Sequence, residues 1–481
     1  MTTPLPTGFR IELDASAKQL TADSWFGGSP ARVIRLTGAG LAAWDELAAG
    51  PVTSPAAAAL ARRLTDAGFA YPLPPALREA PDVTVVVPVR DRPVALARCL
   101  TALGDGRPVV VVDDGSRDPG AIAEVTGRFG ARLVVRETNG GPGAARDTGL
   151  AHVHSELVAF VDSDCVPPAG WIDALAPHFA DPLVAAVAPR VVPGEPGRGW
   201  ASRFTATACP LDLGDQPATV APGSRVAYVP TAALLVRRTA LDGVARGGRV
   251  FDPGLRITGE DVDLVWRLHE AGLRVRYEPS VQVRHDEPET WRALLKRRYR
   301  YGTSAAPLAL RHPGSVPPLV LFPWPTLTVA AALARRPVLA AAAYGASVLG
   351  IVATLRRAGL PTAGVFRAMA DGAYQTWRGI GRYGAQFAAP LLAVELLVGR
   401  HRAAAAALLF GPPLAEWAGR RRHDDSMLDP VRFVLGRLAD DVAYGSGVVA
   451  GCVSHRTSIP LRPKVNSRLL RIDATRAGTR G

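Results

Sequence analysis

The segment VAFVDSDCVP, residues 158–167, decides how the chain is to be read. Its first four residues are apolar and β-prone, and they end abruptly in Asp162, Ser163 and Asp164. This is the pattern of a buried strand that delivers two carboxylates to its C-terminal end. In open α/β sheets ligands bind at that end. Two carboxylates one residue apart on rigid backbone suit a divalent cation with positions left open for phosphate oxygens. An acidic turn after a strand is the plainer reading of the same residues, and other stretches must decide between the two.

Working outward, apolar runs alternate with helical stretches from residue 82 onward. Strands are expected at 83–87, 109–112, 133–135 and 158–161, and helices at 93–103, 121–129 and 143–152. Such alternation predicts a parallel sheet covered on both faces. The expected strand ends carry Arg90 and Asp91, then Asp113 and Asp114, then Glu137 and Asn139, then Asp162 and Asp164. One acidic strand end is commonplace; four in succession on parallel strands predict a ligand crevice.

Several chemistries are excluded by what is missing. A dinucleotide fold needs G-x-G-x-x-G after its first strand, but Gly141, Pro142 and Gly143 come two strands later with Arg146 at the third glycine. The three lysines, Lys18, Lys296 and Lys464, follow no glycine loop, which excludes a phosphate-loop nucleotidase. In a calcium loop starting at Asp162, Pro167 would stand at the required glycine. A nucleotide-diphosphate-sugar site remains.

The motifs VTVVVPVRDRP, VVVVDDGSRD, NGGPGAARDTGL, AFVDSDCVPPAGWI and GEDVDLVWRLHEAG stand in one order between residues 83 and 272. In that order and spacing, residues 83–301 resemble a family-2 glycosyltransferase of the GT-A fold. The resemblance implies that Val89 and Asp91 line a nucleobase pocket, that Asp113 or Asp114 holds base or ribose, and that Arg146 lies near ribose or diphosphate. Asp147 stands where the family usually has asparagine, so an amide donor is lost. The resemblance also gives Asp162 to ribose or a bound water and Asp164 to Mg²⁺ or Mn²⁺, with His285 completing the coordination as in some members. Asp261 would take the proton of the acceptor hydroxyl during a single inverting displacement, with Glu260 positioning acceptor or base. Both acids open a helix, where the dipole favours carboxylates, so N-terminal capping competes as their role. Arg297 and Arg300, three residues apart in LLKRRYRYGTS, share a helix face that would reach diphosphate.

Charge is unevenly placed. Lys and Arg number 29 against 34 Asp and Glu in residues 1–290, but 27 against 9 in 291–481. Long Ala, Leu and Val runs accompany the basic residues, which favours acidic lipid over nucleic acid. Residues 313–334 and 337–355 carry no charge and are flanked by Arg335-Arg336 and Arg356-Arg357. Two runs of that length could span a bilayer as a helical pair. Prolines 317, 318, 323 and 325 in the first run, and an arginine pair at the hairpin tip, favour a re-entrant or interfacial pair anchored by Trp324 and Tyr344. Apolar residues 387–398 and 403–414 read as amphipathic or buried helices.

Four cysteines, Cys99, Cys165, Cys209 and Cys452, lack metal or disulfide-framework spacing. The start MTTPLPTGFRIELD lacks the features of a signal peptide. The expectation is a cytosolic catalytic domain at the cytoplasmic face of the cell membrane.

Residues 1–78 read as a small winged-helix-like module, with strand, two helices and strand, a first helix including Leu36, and a proline-rich linker from Pro72. Its charge is too even for nucleic acid, and recognition of a peptide or a pathway protein is the better expectation. The three expected regions are therefore this module, the transferase domain at 82–304 and a helical region at 305–481. With GGSPARVIRLTGAG in the module and RRYRYGTSAAPLALRHPGSVPPLVLFPWP after the transferase motifs, the whole resembles the mycofactocin-system branch of the family in actinobacteria. That branch implies UDP-glucose as donor, a peptide-derived redox small molecule as acceptor, and a β-linked glucose chain as product. The alternatives are a membrane-associated transferase for lipid-linked or wall polysaccharide, and a non-catalytic sugar-nucleotide-binding scaffold.

Overall fold

A computed structural model describes residues 3–77, 79–315, 317–421, 428–467 and 471–474. Its centre is a nine-stranded mixed sheet. In chain order the strands are β1 (Val83–Val89), β2 (Val109–Asp114), β3 (Arg132–Arg136), β4 (Leu157–Val161), β5 (Cys165–Val166), β6 (Val184–Pro193), β7 (Ala218–Val220), β8 (Ala233–Arg237) and β9 (Arg274–His285). They lie in the order β5-β9-β6-β8-β4-β1-β2-β3, with β7 on the far side of β9. The four strands β4, β1, β2 and β3 run parallel, as the alternation of the sequence requires. The sheet then turns mixed, because β8 pairs antiparallel with both β4 and β6. This is the α/β, GT-A-like arrangement expected from the motifs, with a helical region following it.

Both faces of the sheet are covered, so its strands are continuous apolar runs. Val86, Val112 and Phe160 face one core with Leu264, Val265 and Leu268 of helix Glu260–Glu270. Val85, Val87 and Val111 face the other, against Leu96, Leu100 and Ile122. Helix Pro142–Leu150 lies so close to the sheet that a Cβ on Gly149 would come within 2.5 Å of a Val86 methyl, too near for any residue but glycine without a shift.

The N-terminal residues form more strand than was expected. Helices Ala39–Ala49 and Pro55–Asp66 and strand Ala70–Leu73 are present, but Arg10–Leu13, Lys18–Thr21, Ser24–Gly27 and Arg32–Arg35 precede them. Leu36 is buried just before the first helix rather than in it. Pro72 is no linker residue; it stands in a strand opposite Ile11. Backbone residues Arg471–Ala474 pair in parallel with Arg32–Arg35, so the end of the described chain returns to its beginning. A buried ionic cluster joins this part to the sheet: Arg62 donates to both oxygens of Asp181 at 2.9 and 2.7 Å, and Arg276 of β9 donates to the same carboxylate at 2.6 Å. Removing one partner of such a cluster strands a buried charge, at a cost of about 3–5 kcal/mol.

The two uncharged runs do not form a matched pair of spans. Pro323–Leu333 is a helix of 11 residues, preceded by a short strand, Val320–Leu321, that pairs with Lys464–Val465. Pro337–Arg357, with 21 residues, is the one helix long and apolar enough to cross a membrane among the described residues. Ala389–Val398 is apolar yet has no buried residue, so it is neither amphipathic nor a core helix. The expected helix at 403–414 breaks at Phe410 into Arg402–Leu409 and Gly411–Arg420.

The long helix Pro430–Ser454 packs on helix Trp291–Thr303 through glycines. A Cβ on Gly447 would run into the Tyr299 carbonyl oxygen, and one on Gly302 into that of Tyr444. Small residues let the two backbones touch, and this contact fixes the helical region against the sheet.

Candidate active site

The C-terminal ends of the parallel strands deliver the acidic residues to one edge, as their sequence positions predict. At the end of β2 the two aspartates divide their work. Asp114 accepts from Arg136 Nε and the Gly140 N–H through Oδ1, both at 2.8 Å, and from the Gly141 N–H through Oδ2 at 2.7 Å. Both its oxygens are spent on pinning the glycine turn that opens helix Pro142–Leu150. Asp113 accepts from the Ser116 N–H at 3.0 Å and its hydroxyl at 2.5 Å through Oδ1. Its Oδ2 is buried without a hydrogen-bond partner. Asp91, at the end of β1 after buried Val89, has φ 55°. Its carboxylate accepts from the Arg117 N–H at 2.7 Å, and its own N–H donates to the Ser116 hydroxyl at 2.9 Å.

Arg146 is almost fully buried and ties two elements together. It donates to Asp162 Oδ1 at 2.6 Å and Glu260 Oε1 at 3.0 Å, and its guanidinium lies 5.7 Å from the Phe251 ring centre. Burial would lower its pKa, but Asp162 and Glu260 outweigh burial and the net shift is upward. Neither Asp147, next to it in the chain, nor Glu137 is among its hydrogen-bond partners. Asp147 instead accepts from the Val250 and Phe251 N–H groups at 3.0 and 3.3 Å, a task needing only a carbonyl-type oxygen. Asparagine would do the same, so the departure from the family pattern leaves this contact intact.

Asp261 stands at the start of helix Glu260–Glu270, with its Oδ1 accepting from the Val262 N–H at 2.8 Å. Burial and the neighbouring Glu260 carboxylate push its pKa up to about 7. It faces a cavity of about 440 Å³ shared with Arg146, Asp162, Glu260, Tyr228 and Tyr301. A second cavity of about 730 Å³ adjoins it, with His285, Tyr301, Ile257 and Thr258 in the walls of both. Asp164, Arg297 and Arg300 line this second cavity beside Arg92, Arg98 and Lys296. Of the sequence-predicted residues, Arg146, Asp162, Glu260, Asp261, Asp164, His285, Arg297 and Arg300 line these two adjoining hollows, whereas Val89, Asp91, Asp113 and Asp114 line neither.

The fit to a divalent cation follows from these contacts. Asp164 Oδ1 and His285 Nε2 approach to 3.7 Å, because β5 pairs Cys165 opposite His285 on β9. Glu287 holds His285 through Nδ1 at 3.0 Å, which orients Nε2 toward Asp164. Asp162 does not join them, since Arg146 engages it, and no group of three or more potential ligands is assembled among the described residues. The pair Asp164 and His285 therefore fits an open site, in which phosphate oxygens and water complete the shell. Arg92 now pairs with Asp164.

Several residues here escaped the sequence reading. Arg92 sits next to Asp91 in a quoted motif, and Glu287 lies two residues after His285, so proximity was an available signal. Tyr228 and Tyr444 had none, because the fold alone brings them beside Asp261.

Residues 84–242 match the family described as Glycosyl transferase family 2. Over 97% of its length the chain is 37% identical to the pre-mycofactocin glycosyltransferase of Mycobacterium tuberculosis, of which it covers 99%. It is 24% identical to the glycosyltransferase AglE of Haloferax volcanii over 46% of its length and 72% of that protein. Among solved structures, the mannosyltransferase of Pyrobaculum calidifontis in complex with GDP-Man and Mn²⁺ aligns over 79% of this chain and 89% of its own, at 20% identity and a TM-score of 0.43. On its full-length similarity to a curated relative, the chain belongs to glycosyl transferase family 2.

Proposed function

We propose that the protein is an inverting, metal-dependent hexosyltransferase of mycofactocin biosynthesis. It would move glucose from UDP-glucose onto a hydroxyl of the peptide-derived precursor and extend it into a β-linked chain. The observation that carries this reading is Asp261, a carboxylate poised near neutrality, in the same cavity as the Arg146, Asp162 and Glu260 cluster. The full-length likeness to the pre-mycofactocin glycosyltransferase supports the acceptor class.

In this reading Asp113 Oδ2 accepts from the nucleobase beside Val89 and Asp91, and Arg146 keeps Asp162 and Glu260 in place around ribose and sugar. The acceptor oxygen forms its bond to the anomeric carbon while its proton passes to Asp261. The bond from that carbon to the diphosphate oxygen breaks, and the diphosphate carries the electron pair away. Asp164 and His285 would hold Mg²⁺ or Mn²⁺, which supplies charge neutralisation of the leaving group. Arg297 and Arg300 face the same negative charge. A single displacement needs no carboxylate nucleophile.

The test is purified protein with a panel of nucleotide sugars and the peptide-derived acceptor, read by mass spectrometry. The expected product is heavier by one hexose and its multiples, with UDP-glucose preferred. Nucleotide release from no donor would overturn the reading and leave the scaffold alternative.

We also propose that the protein works on the cytoplasmic face of an acidic bilayer. Leu391 and Leu397 are 73% and 70% exposed on a helix that buries nothing, and Val338 and Leu349 are exposed on the 21-residue helix. Arg335, Arg336, Arg356, Arg357, Arg400 and Arg402 flank these helices, as expected at anionic headgroups. Flotation with phosphatidylglycerol vesicles should carry the protein upward, and L391E/L397E should reduce this at least fivefold. Equal flotation of the variant, or none by the wild type, would contradict lipid binding.

A further inference from the structure

The helix that begins with Glu260 and Asp261 is held from behind by a buried ionic group that the transfer chemistry does not use. His312 closes helix Ala305–Arg311 by donating its N–H to the Leu308 carbonyl at 2.8 Å, and it is 1% exposed. Its Nδ1 lies 2.6 Å from Glu270 Oε1 and its Nε2 3.0 Å from Asp263 Oδ1. An ionised carboxylate only accepts, and a neutral imidazole has one N–H, so two such bonds require a proton on both ring nitrogens. Burial would lower the pKa of the ring, but the two carboxylates outweigh burial and the net shift is upward. Arg267 completes the group. Its Nε donates to Asp263 Oδ2 at 2.7 Å, and its two terminal nitrogens donate to the Val244 and Val250 carbonyls at 2.7 and 2.6 Å. Two cations thus face two anions, as a buried group of charges requires.

We propose that His312 is a positioning residue for the transfer reaction, a two-armed clamp that fixes the first turn of helix Glu260–Glu270 so that Asp261 stays aimed into the catalytic cavity. The proposal rests on the transferase reading and adds to it a residue that touches neither substrate nor metal.

The need for a clamp follows from where Asp261 stands. The first turn of a helix is its least held part, because its N–H groups lack partners within the helix. Gly259, just ahead of it, has φ 91°, and no side chain caps that end. Tertiary contacts must therefore set the direction of the turn. Asp261 and Asp263 are two residues apart, about 200° around the helix, so one faces the cavity while the other faces away. Asp263 is 1% exposed, and its two oxygens are taken by His312 and Arg267. Glu270 stands two turns further on along the same face, so one imidazole ring holds the helix near both of its ends.

The clamp is itself anchored. Arg311, the residue before it, donates from Nε to Asp252 at 2.8 Å, in the loop that leads to the catalytic helix. A Cβ on Gly259 would come within 2.8 Å of the Ser304 Cβ, so the start of helix Ala305–Arg311 lies directly on the entrance to the catalytic turn. Ala305 and Ala306 pack in turn against Val448 and Cys452 of helix Pro430–Ser454. Loosening these contacts moves the base relative to the acceptor hydroxyl, and a misplacement of about 1 Å can cost about 100-fold in rate.

The test is steady-state turnover of the full chain with UDP-glucose, Mn²⁺ and the peptide-derived acceptor, read as UDP release, beside calorimetric titration with UDP. H312Q puts one amide nitrogen in place of two ring donors. It should lose about 10–100-fold in kcat, with KM for UDP-glucose within about threefold and UDP affinity within about twofold of wild type. E270L should lose about fivefold in kcat, and E270Q, whose amide oxygen still accepts from Nδ1, should recover most of that loss. Glu270 is about half exposed, so this pair reads the clamp even where H312Q does not fold. A kcat for H312Q within twofold of wild type, a fall in its UDP affinity as large as its fall in kcat, or E270Q no better than E270L would each overturn the proposal. Wild type that releases no UDP would overturn the transferase reading and this one with it, whereas active variants would overturn the clamp alone.

Discussion

Replacing Asp261 with asparagine should make the protein more stable and nearly inactive at the same time. Burial and Glu260 raise the carboxyl from 3.8 to about 7. At about 1.4 kcal/mol per unit, that sets roughly 4 kcal/mol as the ceiling on the cost of keeping it ionised. The side chain is only half-buried, and water at the cavity mouth reduces the figure to about 1–3 kcal/mol. The sign follows from proton binding. Between about pH 4 and 7 the folded state keeps a proton that the unfolded state releases, so wild-type stability falls as pH rises through that window. Asparagine does not titrate, so the variant's advantage is absent below the unfolded pKa and complete above about pH 7. Wild-type turnover should rise through pH 7 as the base ionises, and the variant should lose about 10²–10⁴-fold at pH 8. Nucleotide release between pH 6 and 9, thermal denaturation at pH 4 and 8, and UDP titration together read all of this. A variant that keeps a tenth of the activity, or melts below wild type at pH 8, would refute the reasoning.

Asp164→Asn should weaken Mn²⁺-dependent UDP binding at least tenfold by calorimetry, with metal-free binding unchanged; equal loss in chelator would place Asp164 elsewhere than on the metal. Asp114→Ala should leave the Gly140 N–H and half-buried Arg136 without this acceptor, while Gly141 keeps Asn139, costing about 1–3 kcal/mol in urea unfolding of the catalytic domain. A loss below about 1 kcal/mol would mean the glycine turn does not depend on it. Gly447→Leu should drive its side chain into the Tyr299 carbonyl, at about 1–3 kcal/mol or more, and release helix Pro430–Ser454 to limited proteolysis. An unchanged digestion pattern would contradict the docking role.

What the sequence made legible is what short-range pattern encodes. The runs before Asp113 and Asp162 had to be strands because they are apolar and short, and parallel order then placed their acidic ends together. Gly259, Glu260 and Asp261 announced a helix start by the acidic cluster ahead of an apolar stripe. Roles within a pair were not legible: Asp113 and Asp114 are equivalent in the string, and only the fold turns one onto the Gly140 turn and leaves the other with a buried, unpartnered oxygen. Nor was β8, whose antiparallel insertion between β4 and β6 follows from long-range pairing. One strand was expected ahead of the first helix where four stand, because Lys18–Thr21 and Arg32–Arg35 are short, half-polar and stabilised by neighbours, including Arg471–Ala474 from the far end of the chain. Hydropathy counted residues 313–334 as a possible span, whereas prolines and pairing with Lys464–Val465 leave a helix of only 11 residues.

The most direct test is a crystal grown with UDP and Mn²⁺ and measured at the manganese absorption edge. An anomalous peak should lie within bonding distance of Asp164 and His285, with the nucleobase against Asp113 and Arg92 displaced from Asp164. A peak remote from Asp164, or UDP bound away from the ends of β1, β2 and β4, would contradict the account.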